Sequence, residues 1–233
     1  TATGRCLSIS AIALGAWWCI GGRGVGGLWL IMIGWFGLTA SRSQSQMLAL
    51  QKVLCELKVN QASRRRFRVL EDDQSLRRLS QLRLASDSDS QAAEWVLVCH
   101  AGRWVGYVTD KPLKELPVQM WDKHRLADHI RPLAELPAIS ENVPLWEAVL
   151  ALENSEEGRI LVFNVAGLPS GTLDRTDLGE AVLNRLGLKL PDSLIQVARN
   201  QNKYPLGIAL PQVVETMVSS GLVGTKDGSS ESA

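Results

Sequence analysis

What this sequence lacks divides it in two. Between Thr1 and Cys55 there is no Asp or Glu, and the only charges are Arg5, Arg23, Arg42 and Lys52; every one of the 24 acidic residues follows from Glu56 onward. A net charge of +1 excludes the basic excess that general nucleic-acid binding requires. Cys6, Cys19, Cys55 and Cys99 form no Cys-x-x-Cys pair, which excludes a zinc ribbon or a disulfide framework and fits a reducing interior. The three histidines, His100, His124 and His129, have no His-Glu-x-x-His spacing to put two imidazoles and a carboxylate on one helix face. His124 and His129 are five positions apart, separated around a helix, and read as surface residues flanking a loop. There is no Gly-x-Ser-x-Gly elbow, no Gly-x-x-x-x-Gly-Lys phosphate cradle and no cysteine with a local partner. The residues present supply no catalytic site and no metal site.

The acid-free head consists of two apolar runs, 6–22 and 24–40, with Arg23 between them. One helix through both would extend about 50 Å, well past a hydrocarbon core of roughly 30 Å. The expectation is a transmembrane helical hairpin over residues 1–40, turning at Gly21, Gly22, Gly24, Gly26 and Gly27. Trp17, Trp18 and Trp29 then lie at the headgroup level, and Arg23 snorkels to it. The positive-inside bias of Arg5, Arg42, Lys52 and Arg64 to Arg66 makes the chain a multi-pass integral membrane protein with its body in the cytoplasm. A secretory signal over 1–22, which lacks an A-x-A-like cleavage site, and buried core helices are the alternatives. The start at Thr1 rather than Met leads us to expect further sequence upstream.

Residues 41–62 read as a connecting amphipathic helix, with Leu50, Val53, Leu54 and Leu57 on one face. Arg64 to Arg66 follow, either touching anionic lipid or forming a solvated charged loop. Beyond them the sequence repeats itself. With an offset of 69, Phe67 to Leu76 overlies Leu136 to Leu145, placing Asp73 and Asn142 as helix caps. Leu145, Ala148, Val149 and Leu152 follow the spacing of a helix with one buried stripe. Trp95 to Val98, the His100-Ala101-Gly102 turn and Trp104 to Val108 predict a hairpin. Arg159 to Phe163, a turn at Gly167 to Gly171 and a second brief strand predict its counterpart. Each copy is strand, helix, hairpin, helix, and neither is large enough to bury its own apolar face, so the two should share a core with a ligand cleft between them. The copies occupy 63–130 and 131–190. A C-terminal helical segment and a disordered Ser/Gly tail fill 191–233.

The cap, the apolar helix, the Leu-x-Val strand and a closing Gly-x-(Val/Leu)-(Thr/Ser)-x-x-Asp-Leu motif resemble the CBS-domain pair. The fold class is thus α+β, a transmembrane hairpin followed by a tandem CBS-like α/β pair. The resemblance implies that the Thr and Asp of the closing motif contact an adenine nucleotide, which makes Thr109 and Asp177 the candidate contacts. The first copy keeps Gly106 and Thr109 but has Pro112 where Asp would fall. The second keeps Gly171 and Asp177 but has Asp174 in place of Thr, a carboxylate that would repel a phosphate. Ligand sensing and a purely scaffolding role both stay open.

The order of the parts, with Gly34-Trp35-Phe36 ending the second arm and Tyr204-Pro205-Leu206-Gly207 in the tail, resembles the C-terminal portion of cyanobacterial-type site-2 proteases. That resemblance implies a zinc ion held by motifs upstream of this sequence, peptide hydrolysis in the bilayer, membrane-protein substrates and catalytic helices of the same protein as partners. No catalytic or metal residue is carried onto this chain; Asp227-Gly228 is a false echo in the polar tail. A regulatory module of a membrane channel or transporter, and a free-standing membrane-tethered nucleotide sensor, are the alternative functions.

Overall fold

The computed structural model describes Met32 and residues 47–85 and 95–224. The chain divides into two compact units, 1–52 and 53–233. The expected hairpin, the Gly34-Trp35-Phe36 segment and the Ser/Gly tail lie outside the described residues. Among the described residues no helix is long and apolar enough to cross a membrane. The expected connecting helix stops at Glu56, earlier than its apolar spacing indicated. The chain leaves it because Lys58 pairs antiparallel with Pro144 and Val59–Gln61 tightens into a 3-10 turn that buries Val59 completely.

The second unit is built from two copies of one β-α-β-β-α pattern. The first comprises β1 (Phe67–Glu71), α1 (Leu76–Ala85), β2 (Trp95–His100), β3 (Arg103–Val108) and α2 (Lys111–Glu115). The second comprises β4 (Ala138–Ser140), α3 (Leu145–Glu153), β5 (Arg159–Phe163), β6 (Pro169–Asp174) and α4 (Arg175–Arg185). Each sheet has its first strand parallel to the second and the third antiparallel to it. The registers coincide even in their irregularities: Val98 faces Gly106 and Val162 faces Gly171, with a break in register after both Val98 and Val162.

Two features predicted from the sequence take a different form. Asp73 and Asn142 do not cap the helices: α3 begins after Pro144, and Asn142 instead donates its N–H to Ser140 Oγ. Gly171 lies within β6 rather than in the turn, because the reversal is completed around Gly167, whose φ is +73°. The His100–Arg103 reversal is as tight as expected, with Ala101 and Gly102 both at positive φ, the backbone twist that a two-residue hairpin favours.

Apolar residues on β2 point both ways. Val96 and Val98 join Leu70, Leu76, Leu79, Val108 and Leu126 beneath α1. Leu97 points to the opposite face and packs with Phe67, Trp95, Tyr107, Leu136 and Leu161, a cluster drawn from both copies. The shared core expected from the small size of each copy is therefore present. On α3, Leu145, Ala148, Val149 and Leu152 are all fully buried, as their spacing predicted.

The segments that precede the two copies are exchanged. Residues 58–66 lie on the second copy: Arg64 and Thr172 exchange backbone hydrogen bonds of 2.9 and 2.8 Å, and Arg66 reaches Asp174 and Asp177. The corresponding stretch, 125–131, lies on the first, where Tyr107 and Arg131 exchange two of 2.9 Å. We call these segments straps. Gly106 and Gly171 are the residues that let them approach: a Cβ on Gly106 would fall 2.2 Å from the Arg131 carbonyl oxygen, and one on Gly171 would fall 3.1 Å from that of Arg64.

Two further helices, α5 (Asp192–Asn200) and α6 (Leu210–Ser219), pack against the second copy. Leu210, Val213, Val214 and Met217 form the buried stripe of α6. The Tyr204-Pro205-Leu206-Gly207 segment holds the turn between them: Pro205 fills the space beside Gly179, and Tyr204 donates to Glu153 at 3.1 Å. Burial raises the Tyr204 phenol well above its ordinary value, so it remains a donor. In this turn the exposed Leu206 is held at φ +56°. A left-handed residue with a Cβ costs about 1–2 kcal/mol, and glycine loses about 0.5–1 kcal/mol in chain entropy. Leu206→Gly is therefore expected to raise the melting temperature slightly, by up to about 1 kcal/mol of stability in a denaturant titration.

Candidate functional site

The two closing motifs occupy equivalent places but different surroundings. Thr109 directly follows β3 and opens onto a cleft of about 370 Å3 walled by both copies, with Arg83, Trp95, Tyr107 and Asp110 from the first and Glu157 and Arg159 from the second. Its walls are fixed by side-chain bonds. Arg83 Nε donates to Asp110 at 2.8 Å, and Trp95 Nε1 donates to Glu157 at 2.8 Å. The Arg159 guanidinium lies 6.0 Å from the centre of the Trp95 ring, within cation–π range. Trp95 and Arg159, which are equivalent by register, meet at the junction of the two copies, where both are more than nine-tenths buried.

Asp177 does not reach this cleft. Its side chain is 1% exposed, and Oδ1 is held by Arg66 Nη2 at 2.7 Å, Arg199 Nη2 at 3.2 Å and Arg64 Nε at 3.4 Å. Asp174 accepts from Arg66 Nη1 at 3.1 Å, and Glu180 pairs with Arg64 at 2.6 Å. Asp174 also has a local task. Its Oδ1 accepts the Asp177 N–H at 2.7 Å and caps α4, satisfying one of the orphan donors of a helix start. Three carboxylates and three guanidiniums thus form one cluster between the first strap, α4 and α5. Despite the arginines, Asp177 is pushed up to about 6, first by burial and then by the neighbouring Asp174. Its Oδ2 is buried without a hydrogen-bond partner, which accounts for the dominance of desolvation.

The arginine run thus has a role that the sequence reading missed. Arg64 and Arg66 supply cations to the second copy's closing motif, more than a hundred residues further along the chain. The signal present in the sequence was three arginines immediately before the first copy and two aspartates, Asp174 and Asp177, in the closing motif of the second. A second cleft of about 230 Å3 adjoins the cluster, lined by Glu157, Gly158, Arg159, Asp174, Arg199 and Asn202 among others. His124 and His129 also differ from expectation: both are half-buried and their rings approach to 5.7 Å. The His129 segment is a 3-10 turn, Leu126–His129, instead of a helix that would part them. Among the described residues no group of three His, Cys, Asp or Glu is placed to hold a metal ion.

Fold and site together define a tandem α/β pair with one cleft open between its copies and the other motif closed by an ion cluster. Solved structures similar to this chain are CBS-domain proteins. The CBS domain of a bacterial CNNM/CorC family Mg2+ transporter in complex with ATP is 18% identical, with a TM-score of 0.46 over 60% of this chain and 97% of that one. The CBS pair domain of a putative Mg2+ transporter from Shewanella oneidensis MR-1 is 16% identical, with a TM-score of 0.44 over 61% and 80%. A CBS domain pair/ACT domain protein from Thermotoga maritima is 18% identical, with a TM-score of 0.42 over 56% and 99%. No family model and no curated protein matches the chain.

Proposed function

We propose that the body is a CBS-type regulatory module that binds one adenine nucleotide in the Thr109 cleft. The observation that carries this reading is the open cleft itself: it is walled by both copies, contains Thr109, and at about 370 Å3 falls within the roughly 300–1,000 Å3 usual for small-molecule sites. Arg83 and Arg159 line it as the cations for a phosphate, and Thr109 offers a hydroxyl. The Asp177 motif contributes no second site in this reading, because its carboxylate is already committed to three guanidiniums. Calorimetry with AMP, ADP, ATP and S-adenosylmethionine on the whole chain tests the proposal. One nucleotide per chain is expected, with Thr109→Asp weakening it at least about tenfold by placing a carboxylate against the phosphate. Absence of heat with all four ligands would remove the reading.

We further propose that the apolar head anchors this module to a membrane, with the body cytoplasmic, and that the machine it regulates is a channel or transporter. That assignment needs only a regulatory pair joined to membrane helices. The intramembrane zinc protease is the second reading, favoured by the Gly34-Trp35-Phe36 and Tyr204-Pro205-Leu206-Gly207 segments, and requires in addition a zinc motif outside these 233 residues. Carbonate extraction tests the anchor, since recovery in the supernatant would refute it. An upstream His-Glu-x-x-His in an apolar helix would decide for the protease.

A further inference from the structure

The two clefts share a wall. Glu157 and Arg159 line both the Thr109 cleft and the smaller one beside Asp174, and the residue between them, Gly158, is held at φ +62°. There is no spare room at this point: a Cβ on Gly158 would lie 2.3 Å from an Arg175 nitrogen and 2.4 Å from the Asn202 side-chain amide. Asn202 Nδ2 donates to the Glu157 carbonyl at 3.4 Å. On the far side of the smaller cleft, Asp174 and Arg199 belong to the cluster that grips Arg66 on the strap. That strap is otherwise joined to the second copy's sheet by the Arg64–Thr172 backbone pair, and it is the stretch by which the chain from residues 1–52 enters the body.

Resting on the nucleotide reading above, we infer that the Glu157-Gly158-Arg159 step transmits occupancy of the Thr109 cleft to the Arg66 latch. A phosphate in the Thr109 cleft draws the Arg159 charge toward itself and away from the smaller cleft. Asp174 then depends more heavily on Arg66, so the strap is held tighter. The step packs against Asn202, which is bonded to Glu157, and against Arg175, whose Nη2 donates to the Leu152 carbonyl at 3.1 Å, so a displacement of the step is passed to both. By linkage, whatever tightens the latch must tighten nucleotide binding by the same factor.

The test is hydrogen exchange of the strap amides, 59–66, in the full chain with and without saturating AMP, read beside calorimetry on the same samples. Wild type is expected to bind AMP and to slow strap exchange about fivefold or more, the lower end of typical coupling. Asn202→Ala removes a contact to the step without touching the Thr109 cleft, so AMP still binds while the strap response drops to less than half. Heat of binding with unchanged strap exchange in wild type would overturn the coupling and leave the nucleotide site standing. A response of undiminished size in Asn202→Ala would overturn the proposed route. Absence of AMP binding would remove the nucleotide reading and this inference together.

Discussion

Replacing Arg66 with Met lowers the stability of the body by about 3 kcal/mol at pH 7.5, and the loss shrinks as the pH falls toward about 6. Removing one partner of a buried ion pair typically costs about 3–5 kcal/mol, because the other charge is left without compensation. The lower end applies here because Arg199 and Arg64 still reach Asp177 Oδ1, at 3.2 and 3.4 Å. The pH dependence follows from Asp177. Its carboxyl is raised from 3.8 to about 6 by burial and by Asp174, so the folded state binds a proton more readily than the unfolded chain does. The stability tied to that proton is fully present below about pH 4 and is lost as the pH rises through about 6. Without Arg66 the folded value rises further, and the loss extends to higher pH. Denaturant titrations of wild type and Arg66→Met at pH 4.5 and 7.5 measure the effect. Asp177→Asn is the control, since the difference between the two pH values should largely vanish in it. An equal cost of Arg66→Met at both pH values would show that Asp177 is not the group responsible.

Gly106→Ala is expected to be the more damaging of two glycine substitutions, at about 4 kcal/mol against about 1 kcal/mol for Gly171→Ala, within the range reserved for severe steric defects. The added methyl at 106 would meet the Arg131 carbonyl oxygen at 2.2 Å and Ile130 Cγ2 at 2.4 Å. The first is backbone and cannot rotate away. The second strap must shift, breaking both Tyr107–Arg131 hydrogen bonds and unseating Ile130 from the first core. At Gly171 the nearest atom is the Arg64 carbonyl oxygen at 3.1 Å, a contact that a few tenths of an ångström relieves. Thermal melts of the two variants check the order. Comparable losses would mean that the two straps are held with equal tolerance. Because Thr109 lies three residues beyond Gly106, Gly106→Ala should also weaken any ligand of the Thr109 cleft.

Much of the body could be read directly. Short apolar runs flanking glycine turns located both hairpins, the stripe Leu145, Ala148, Val149 and Leu152 marked α3, and the small size of each copy required the shared core that Leu97 and Leu161 build. These features are legible because periodicity and turn chemistry are properties of neighbouring residues. The helix caps were misplaced because the signal for a cap is only one or two residues wide, and Pro144 starts α3 without a side-chain bond. The strap exchange could not be read at all. Antiparallel pairing of Arg64 with Thr172 leaves no mark on either segment, and a glycine kept for close approach looks like any other glycine in a strand.

The candidate site divides the same way. Local pattern set the two closing motifs at equivalent positions, and the resemblance to the CBS-domain pair singled out Thr109 and Asp177 in them. Only folding determined that Thr109 faces a cleft while Asp177 faces Arg66 and Arg199, and that Asp174 spends one oxygen on the start of α4. The sequence by itself determined the elements and the burial of one face of each, because hydrophobic spacing acts over a single turn or strand. Which charges meet was decided by the tertiary structure, since a buried carboxylate requires a cation within a few ångströms and the chain supplied it from a strap more than a hundred residues away.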